Sequence, residues 1–351
     1  MNGGELEAIP LGGLADVESD WSRLAESAGS PFLTWEWAST WWRHFGAGEL
    51  RLVGCRAEGR LLAILPLYRG AGRVRALRFL GHGHAGELGP VCDPRDAPEA
   101  LEALVRYLRD GSTGWDVFLA HDVVPAFDWA ARLGGKALER TPSPVVELGG
   151  ATWDAYLASR SKSFEDDLRK NIRRLGRAHA LVYRQTGNPE ELRGDLDVLF
   201  SLHDARWGER ASRYFSGSEA FHREVAAQAF ERGWLRLAFL ELDGRAVAAN
   251  YGFRLGGRAW TYNAGRDPSV PGAGLLMTAM DIEHALDEGA TEYHLGRGGS
   301  PFKERFATVA AKVETIGVSR TVVGRASLAA RRYSRALPRR VRSSLEGAAA
   351  S

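Results

Sequence analysis

The residues best suited to chemistry lie in the stretch 259–306. Within it, four small residues, Pro271 to Gly274, stand directly before a helical pattern. Because they carry almost no side chain, the first N–H groups of that helix, which have no acceptor within it, are left open to an anion. A tight turn without a ligand is the other interpretation of the same glycines. The spacing therefore predicts either a phosphate-binding loop or a plain turn at 271–274.

Polar and aromatic residues flank this loop on both sides. Tyr262 and Asn263 end the strand that precedes it, while Glu292 and His294 lie on the strand that follows, ahead of Gly-rich residues and Lys303. In open α/β sheets the ligand binds beyond the carboxyl ends of the strands. This concentration of polar groups favours a phosphate-bearing cofactor at the mouth of the unit.

The elements that must position these residues form a βαβ unit. Its helix has apolar residues at helical spacing on one face and polar residues predicted to face away. Gly289 stands where a left-handed C-cap is expected. The apolar face is Leu275, Ala279, Ile282 and Leu286, and the outward residues are Asp281, His284 and Glu288.

A second group of chemically capable residues lies on a predicted helix at 189–208. His203, Arg206 and Trp207 have i, i+3 and i+4 spacing and share one face. A core or surface histidine is one interpretation, but the three together suit a substrate-facing edge better than packing. Further along, Asn250 interrupts an apolar strand, so its amide either ties down a neighbouring backbone or meets a ligand.

Composition bounds the class of protein. The chain has 351 residues, 44% hydrophobic and 26% charged, which predicts a globular protein of two domains. No run approaches the ~20 apolar residues of a membrane span, and the acidic N-terminus is unlike a signal peptide, so a cytoplasmic location is expected. Cys55 and Cys92 are expected in the core, and His82 and His84 lack a third ligand, so no metal is predicted.

Positive and negative residues are nearly balanced in number, so the distribution of charge along the chain says more about function than the net charge does. A net charge of +2 excludes a general polyanion binder. One helix has an acidic first turn and a basic stripe of Lys170, Arg173, Arg174 and Arg177, which either suits the helix dipole or binds the phosphates of RNA or of an acyl carrier. The basic segment from Arg325 onward is predicted to be a solvated helix, to dock on the second domain, to lie on an acidic partner or to bind RNA phosphates.

Two domains and a tail are predicted: 1–148, 149–324 and 325–351. The Pro/Gly/Thr-rich stretch near 150 marks the junction. The first domain shows a hairpin around Glu58-Gly59 and further strands and helices, but it has no glycine loop before a helix, so a supporting role is expected. Its cluster of Trp35, Trp37, Trp41 and Trp42 serves core packing, or else lines a cleft or domain junction.

Several segments together resemble a known family. The basic stretch Leu168–Arg174, the segment His203–Trp207, the loop and helix DPSVPGAGLL and the closing GRGGSPFKERF are similar to the C-terminal half of bacterial acyltransferases of the GNAT superfamily. Within it, the resemblance is to the branch of cellulose-biosynthesis-associated and Fem-type proteins, and PFLTWEWASTWWRHF resembles the opening of the same proteins. It implies an α/β (α+β) fold of two tandem GNAT-like domains, each a mixed sheet flanked by helices.

The resemblance implies an acyl-CoA-dependent N-acyltransferase without a metal. Acetyl-CoA or another acyl-CoA would lie between the splayed strands 259–264 and 291–296, and the acceptor would be a small-molecule amine or amino sugar. An oxyanion donor is expected near Asn263 or Ala264. The expected cofactor-binding residues are Asn263, Ala264, Gly272, Ala273, Gly274 and Leu275; the substrate-binding residues are Arg206, Trp207, Asn250, Tyr262, Glu292 and Arg297; and the catalytic residues are His203, His294 and Lys303.

Two other functions remain open. The segment before the loop lacks the Gln or Arg, and the helix at 301–306 lacks the Tyr, that single-domain members of the superfamily often carry. A Fem-like enzyme would instead take its acyl group from aminoacyl-tRNA, for which both basic segments would be useful. A catalytically silent GNAT-like module in a biosynthetic assembly is the third possibility.

Overall fold

The computed structural model describes residues 6–110, 114–207, 215 and 217–336. The α-helices are α1 (Glu18–Ala28), α2 (Trp35–Phe45), α3 (Ala97–Arg109), α4 (Trp129–Arg132), α5 (Trp153–Ala158), α6 (Lys162–Ala178), α7 (Pro189–Trp207), α8 (Glu219–Glu231), α9 (Ala273–Asp287), α10 (Pro301–Phe306) and α11 (Val322–Ala336). The strands are β1 (Glu7–Pro10), β2 (Gly48–Ala57), β3 (Arg60–Gly70), β4 (Ala76–Phe79), β5 (Val91–Cys92), β6 (Val117–Val123), β7 (Lys136–Pro142), β8 (Val145–Glu147), β9 (Leu181–Gln185), β10 (Leu235–Leu242), β11 (Arg245–Leu255), β12 (Arg258–Arg266), β13 (Glu292–His294) and β14 (Lys312–Ser319).

The contacts divide the chain into two compact units, and each unit is built from segments that are not consecutive in the sequence. The first unit is Met1–Leu24, Phe45–Arg140 and Val313–Ser351, and the second unit is Ala25–His44 and Thr141–Lys312. The sequence suggested continuous domains cut at 148/149. The structure differs because 25–44 packs with the later part of the chain and β14 belongs to the first sheet. Positions 337–351 of the expected tail lie outside the described residues.

The first unit is built on a sheet of order β1-β2-β3-β4-β6-β14-β7, with β5 pairing β3. The hairpin of β2 and β3 turns at Glu58-Gly59, as the alternating pattern predicts, and both turn residues have positive φ. β4 runs parallel to β6, whereas β14 is antiparallel to it. Helix α11 packs against β6.

The second unit is built on a sheet of order β8-β13-β12-β11-β10-β9. The three strands β10, β11 and β12 form the predicted antiparallel meander, and β12 then runs parallel to β13. The predicted α/β fold class, with two sheets flanked by helices, is confirmed. One aromatic cluster in this unit joins Phe32 and Trp37 to Phe253 and Tyr262, with ring centroids 5.0–6.2 Å apart.

Helix α6 shows why a very basic sequence still folds as a helix. The Ser161 side chain caps its first turn, and Phe164, Leu168 and Leu175 are buried at helical spacing. The remaining face carries the charge, and Lys170, Arg173 and Arg177 are among its exposed residues. The predicted basic stripe is therefore the solvent-facing side of an amphipathic helix.

Helix α9 differs from its predicted orientation at one residue. Asp281, expected to face away, is 0% exposed, because the buried Arg236 lies 2.9 Å from its carboxylate. Gly289 does adopt the expected left-handed conformation, with φ of 80°. None of the described helices has the length and apolar content needed to cross a membrane.

Candidate active site

Two neighbouring parallel strands separate at the centre of the second unit. β12 pairs with β13 at three positions only, Arg258 with Glu292 through Trp260 with His294. β13 ends there, while β12 continues to Arg266. On its other side β12 carries an irregularity opposite Tyr251 and Gly252, which leaves Tyr262 as the extra residue of a bulge. The geometry leaves a gap beside the second half of β12.

The loop at 271–274 brings a helix N-terminus to this gap. Gly272 has φ of 85° and is the N-cap of α9, with no side-chain cap. Ala273 N–H donates to Val270 O at 3.3 Å, and Leu276 N–H donates to Gly272 O at 3.0 Å. Within the described residues, the N–H groups of Gly274 and Leu275 have no backbone acceptor. These two donors, at the positive end of the helix dipole, suit an anion.

Helix α6 holds the loop from outside. A Cβ on Gly272 would lie 2.0 Å from Asn171 Oδ1, so glycine is required both by this contact and by its positive φ. Arg174 donates to Asn171 Oδ1 at 3.1 Å and also to the carbonyl of Pro271. The sequence left open whether this basic stretch suits the helix dipole or binds phosphates, and in the structure two of its residues, Asn171 and Arg174, contact the loop.

A cleft of about 800 Å³ lies between the loop and the diverging strands. Of the predicted residues, its walls include Arg206, Asn250, Ala264, Gly272, Gly274, Leu275 and Lys303, whereas Ala273 is buried. The walls also contain charged residues that the sequence did not single out: Asp167, Arg266 and Arg305, with Asp167 paired to Arg305 at 2.6 Å. Cations outnumber carboxylates in this lining, which suits a polyanionic ligand.

Lys303 is placed at the point where the strands separate. Ser300 caps the short helix α10, and Lys303 Nζ donates to the carbonyls of Gly296 and Arg297 at 2.9 and 2.8 Å. Burial, with a contribution from the nearby Arg206 charge, lowers the pKa of Lys303 to about 8. An amine with this pKa can donate a proton near neutral pH.

Arg206 and Asn263 both bind the backbone of Ala264, near which an oxyanion donor was expected. Arg206 Nη1 donates to Ala264 O at 3.3 Å, and burial together with Arg266 lowers the pKa of Arg206. Ala264 N–H donates to Asn263 Oδ1 at 2.9 Å. The expected donor at Ala264 is therefore wrong for this conformation, because the neighbouring amide side chain already accepts its hydrogen.

The floor of the cleft is a buried polar network. Asn250 is 3% exposed, and its Nδ2 donates to Asp281 and, at 3.0 Å, to the hydroxyl of Tyr293. Tyr293 in turn donates to Asp281, whose charge is balanced by Arg236. Asn250 Oδ1 is buried and has no hydrogen-bond partner among the described residues. The Nδ2 end of Asn250 is thus held by side chains and not by a neighbouring backbone, and a ligand contact through Oδ1 stays a prediction.

Among the side chains that the structure describes, three predicted residues on α7 and β12 are not in the cleft lining: His203, Tyr262 and Asn263. His203 is 3% exposed and packs edge-on against Phe215 at 4.8 Å, and burial lowers its pKa. It lies there because α7 passes so close to β12 that a Cβ on Gly265 would be 2.4 Å from His203 N. Tyr262 belongs to the aromatic cluster. Trp207 ends α7, which fixes only its backbone position.

Three predicted residues on and after β13 also lie outside the lining. His294 Nε2 is 3.0 Å from Glu292 Oε2 and its ring stacks on Trp260. Glu292 and His294 lie in the part of β13 that pairs with β12, before the two strands diverge. Arg297 is exposed and contributes its carbonyl to Lys303. These side chains do not line the cleft, contrary to expectation, because the gap between the strands opens only beyond them.

Sequence reasoning missed a group of residues that the structure places at the cleft. Asn171 lay within the basic stretch, yet only the arginines drew attention there. Arg266 and Arg305 lay within segments quoted for their glycines and aromatic residues. Arginines are frequent in this chain, so residue type alone gave no signal. Among the described residues, no group of three or more His, Cys, Asp or Glu side chains could hold a metal ion.

A protein-family model matches one part of the chain. Residues 162–304 match the family model of the acetyltransferase (GNAT) domain. The match runs from α6 to α10 and includes the loop, the diverging strands and Lys303. This part of the chain is therefore similar to GNAT acetyltransferase domains. No curated protein matches the chain in sequence.

Solved structures share the fold over most of the chain. FemX has a TM-score of 0.62 at 12% identity, over 88% of this chain and 96% of that one. The C-terminal domain of a putative lysylphosphatidylglycerol synthetase from Agrobacterium fabrum has a TM-score of 0.58 at 14% identity, over 90% of this chain and 96% of that one. L-PGS from Bacillus licheniformis has a TM-score of 0.52 at 13% identity, over 84% of this chain and 95% of that one. At these identities the likeness shows a common fold.

Proposed function

We propose that this protein is an acyl-CoA-dependent N-acyltransferase that moves an acyl group from a thioester to the amine of a small molecule or amino sugar. The observation that carries the proposal is a single cleft with an uncapped helix N-terminus on one side and diverging parallel strands on the other. The GNAT domain match over the same residues supports it. A cytoplasmic, bacterial protein of the cellulose-biosynthesis-associated or Fem-like branch remains part of the proposal.

The residues of the cleft fit the phosphates of coenzyme A. Gly274 and Leu275 offer backbone N–H groups without backbone acceptors among the described residues, and Gly274 carries no side chain that would cover them. Arg266 lines the same wall and adds a guanidinium. The donor would supply the activated acyl group, and the protein would supply its placement beside the unpaired half of β12.

The chemical step needs a place for the proton and charge of the departing thiol. Lys303 is the residue we assign to this role, because its ammonium lies in the cleft and its pKa of about 8 favours proton donation to a thiolate. Arg206 adds positive charge nearby. Asn250 Oδ1, the open acceptor on the floor, would orient an N–H of the ligand. In this assignment His203, His294 and Glu292 are structural residues.

Substitution of Gly274 by glutamate tests the position of the donor. The new carboxylate would enter the wall where the diphosphate is proposed to bind, so affinity for acetyl-CoA should fall at least about tenfold through like-charge repulsion. Gly194→Glu is the matched control, since Gly194 is also within a helix and a Cβ there meets nothing within 4 Å. Calorimetric titration with acetyl-CoA measures both. Equal affinity of Gly274→Glu and the wild type would remove the loop from the donor site.

An aminoacyl-tRNA donor is the second candidate, and one observation favours it. Lys170, Arg173 and Arg177 are exposed on α6, and among the described residues none of them has a carboxylate partner. Solved structures of similar fold include one whose name is that of a lysylphosphatidylglycerol synthetase. This candidate predicts tRNA binding that weakens steeply with salt and is lost when the three cations are replaced by glutamine. Binding of acetyl-CoA without any tRNA affinity would decide for the first candidate.

A further inference from the structure

A second cavity lies within the first unit, away from every residue assigned above. It has a volume of about 600 Å³, within the range of small-molecule pockets. It is formed by β3, β4, β6 and the segment before β4, with residues of α11 contributing to its walls. Its apolar wall includes Val74, Val117, Leu119 and Leu328.

Arginines supply the polar part of this cavity. Arg73, Arg78 and Arg331 line it, and its lining contains no Asp or Glu among the described residues. Neither Arg73 nor Arg78 forms an ion pair with a carboxylate in the part of the chain that the structure describes. Arg78 Nε is buried and has no hydrogen-bond partner there. The described residues of the lining therefore include three arginines and no carboxylate.

Two of these arginines have an imidazole among their partners. Arg78 Nη1 donates to His82 Nε2 at 2.9 Å, and Arg331 Nη2 donates to His121 Nε2 at 2.8 Å. A guanidinium has no acceptor atom, so in both pairs the ring nitrogen accepts and the imidazole is neutral. The two rings stack at 4.2 Å. The histidines thus orient the guanidinium groups without cancelling their charge.

We propose that this cavity binds a small organic oxyanion, with Arg78 and Arg331 holding the anionic head group and the apolar wall holding the rest of the ligand. Guanidinium groups bind phosphate and carboxylate oxygens through paired, charge-assisted hydrogen bonds. The apolar wall and the volume favour a head group carried on an organic body over a bare inorganic ion. The site is separate from the proposed acyl-transfer cleft and does not depend on its function.

Ligand-observed NMR with matched aromatic probes tests the proposal on the full chain. Phenyl phosphate and benzoate carry the two head groups on the same ring, and benzyl alcohol is the neutral control, all at constant ionic strength. We expect at least one anion to bind, with benzyl alcohol weaker by at least about tenfold, the loss typical of a missing charge-assisted hydrogen bond. Whichever anion binds more tightly identifies the head group. Equal binding of all three probes, or no binding of either anion, would refute the proposal.

Charge substitutions then locate the binding. Arg78→Gln and Arg331→Gln should each weaken the anion at least about tenfold, while Arg106→Gln, an exposed arginine on α3, should leave it unchanged. Gly274→Glu should also leave it unchanged, which separates this cavity from the cleft. If either glutamine variant fails to fold by circular dichroism, Ser327→Glu, which adds a carboxylate to the lining from α11, replaces it. Anion binding that survives these changes but is lost in Gly274→Glu would overturn the assignment.

Discussion

Lys303 shows how the setting of one residue decides its chemistry. From the sequence, Lys303 was a catalytic candidate implied by the family resemblance, as the cation that follows the Gly-rich turn. In the structure it is held by the carbonyls of Gly296 and Arg297, partly buried and close to Arg206. Burial and like charge both disfavour the ammonium, so its pKa falls to about 8. The residue type was predictable, but the pKa depends on neighbours that only the fold brings together.

A carbon-13 titration of the methylated lysines measures this pKa directly, without a substrate. The lysines of the chain are Lys136, Lys162, Lys170, Lys303 and Lys312, and assignment follows from Lys303→Arg. We expect a midpoint near 8 for Lys303, well below that of Lys162, whose pKa is raised by Glu165 and Asp166. Arg206→Gln should move the Lys303 midpoint upward, because a nearby positive charge is removed. A Lys303 midpoint at the ordinary value of ~10.4 would contradict the assigned environment.

The lowered pKa of Lys303 also fixes how this residue makes stability depend on pH. The pKa of Lys303 is lower in the folded chain than the ordinary lysine value of ~10.4 in the unfolded chain. Between these values the unfolded chain binds more protons, so this residue makes the free energy of unfolding rise as pH increases from about 8. Lys303→Met should remove that contribution, which urea unfolding at several pH values measures.

Asp281 and His203 mark the limit of sequence reasoning about single residues. Helical periodicity placed Asp281 on the outer face, because a carboxylate seldom lies in a core without a partner. Its partner, Arg236, comes from β10 and cannot be inferred from the spacing within α9. The spacing of His203 and Arg206 did predict a shared helix face, yet only Arg206 reaches the cleft, because α7 presses on β12 at Gly265.

At the scale of elements, the loop and α9 form the best-predicted part of the molecule. The glycine run and the C-cap glycine bounded α9 correctly, since both ends depend on local backbone conformation. The meander was predictable for the same reason, because its turns are short. Strands β1, β7 and β14 pair with distant partners or lie at an edge, so local pattern carried little information about their place in the sheet.

Alanine substitutions at the two ends of α9 separate backbone strain from loop geometry. Gly272 and Gly289 have φ of 85° and 80°, so alanine costs about 1 kcal/mol or more at either. At Gly289 a Cβ meets nothing within 4 Å, whereas at Gly272 it would collide with Asn171. Gly272→Ala should therefore lose more stability and also weaken acetyl-CoA binding, while Gly289→Ala should lose stability alone.

Chemical unfolding and calorimetry supply the two measurements for this pair. Comparable stability of both variants would show that Asn171 moves aside without cost. Unaltered acetyl-CoA affinity in Gly272→Ala, with the expected loss of stability, would mean that the loop is structural and that the donor is bound elsewhere.

At the scale of the whole molecule, each unit consists of non-consecutive segments, and this determines which fragments of the chain contain a complete unit. The second unit needs Ala25–His44, whose Phe32 and Trp37 pack on Phe253 and Tyr262, and it needs β8, which pairs with β13. A continuous cut near 149, suggested by the Pro/Gly-rich stretch, omits both. Composition could not show that an earlier helix belongs to the later unit.

The fragment 149–324 should accordingly fail to unfold cooperatively. It would expose the aromatic cluster and the edge of β13 that β8 covers. The matched control polypeptide joins 25–44 through a flexible Gly/Ser linker to 141–312 and should show a thermal transition and near-ultraviolet circular dichroism. If 149–324 alone melts as sharply as the joined version, the segment 25–44 is dispensable for the second unit.

The pairing of β14 with β6 has a consequence for synthesis. Ile316 lies opposite Ala120, and β14 stands between β6 and β7 in the sheet. A nascent chain therefore leaves the ribosome with one edge of β6 bare until Lys312–Ser319, almost two hundred residues later, has been translated, and bare strand edges recruit strands from other molecules. Slow translation, low temperature or a chaperone that shields this edge should raise the yield of native protein, whereas rapid overproduction should send it into inclusion bodies.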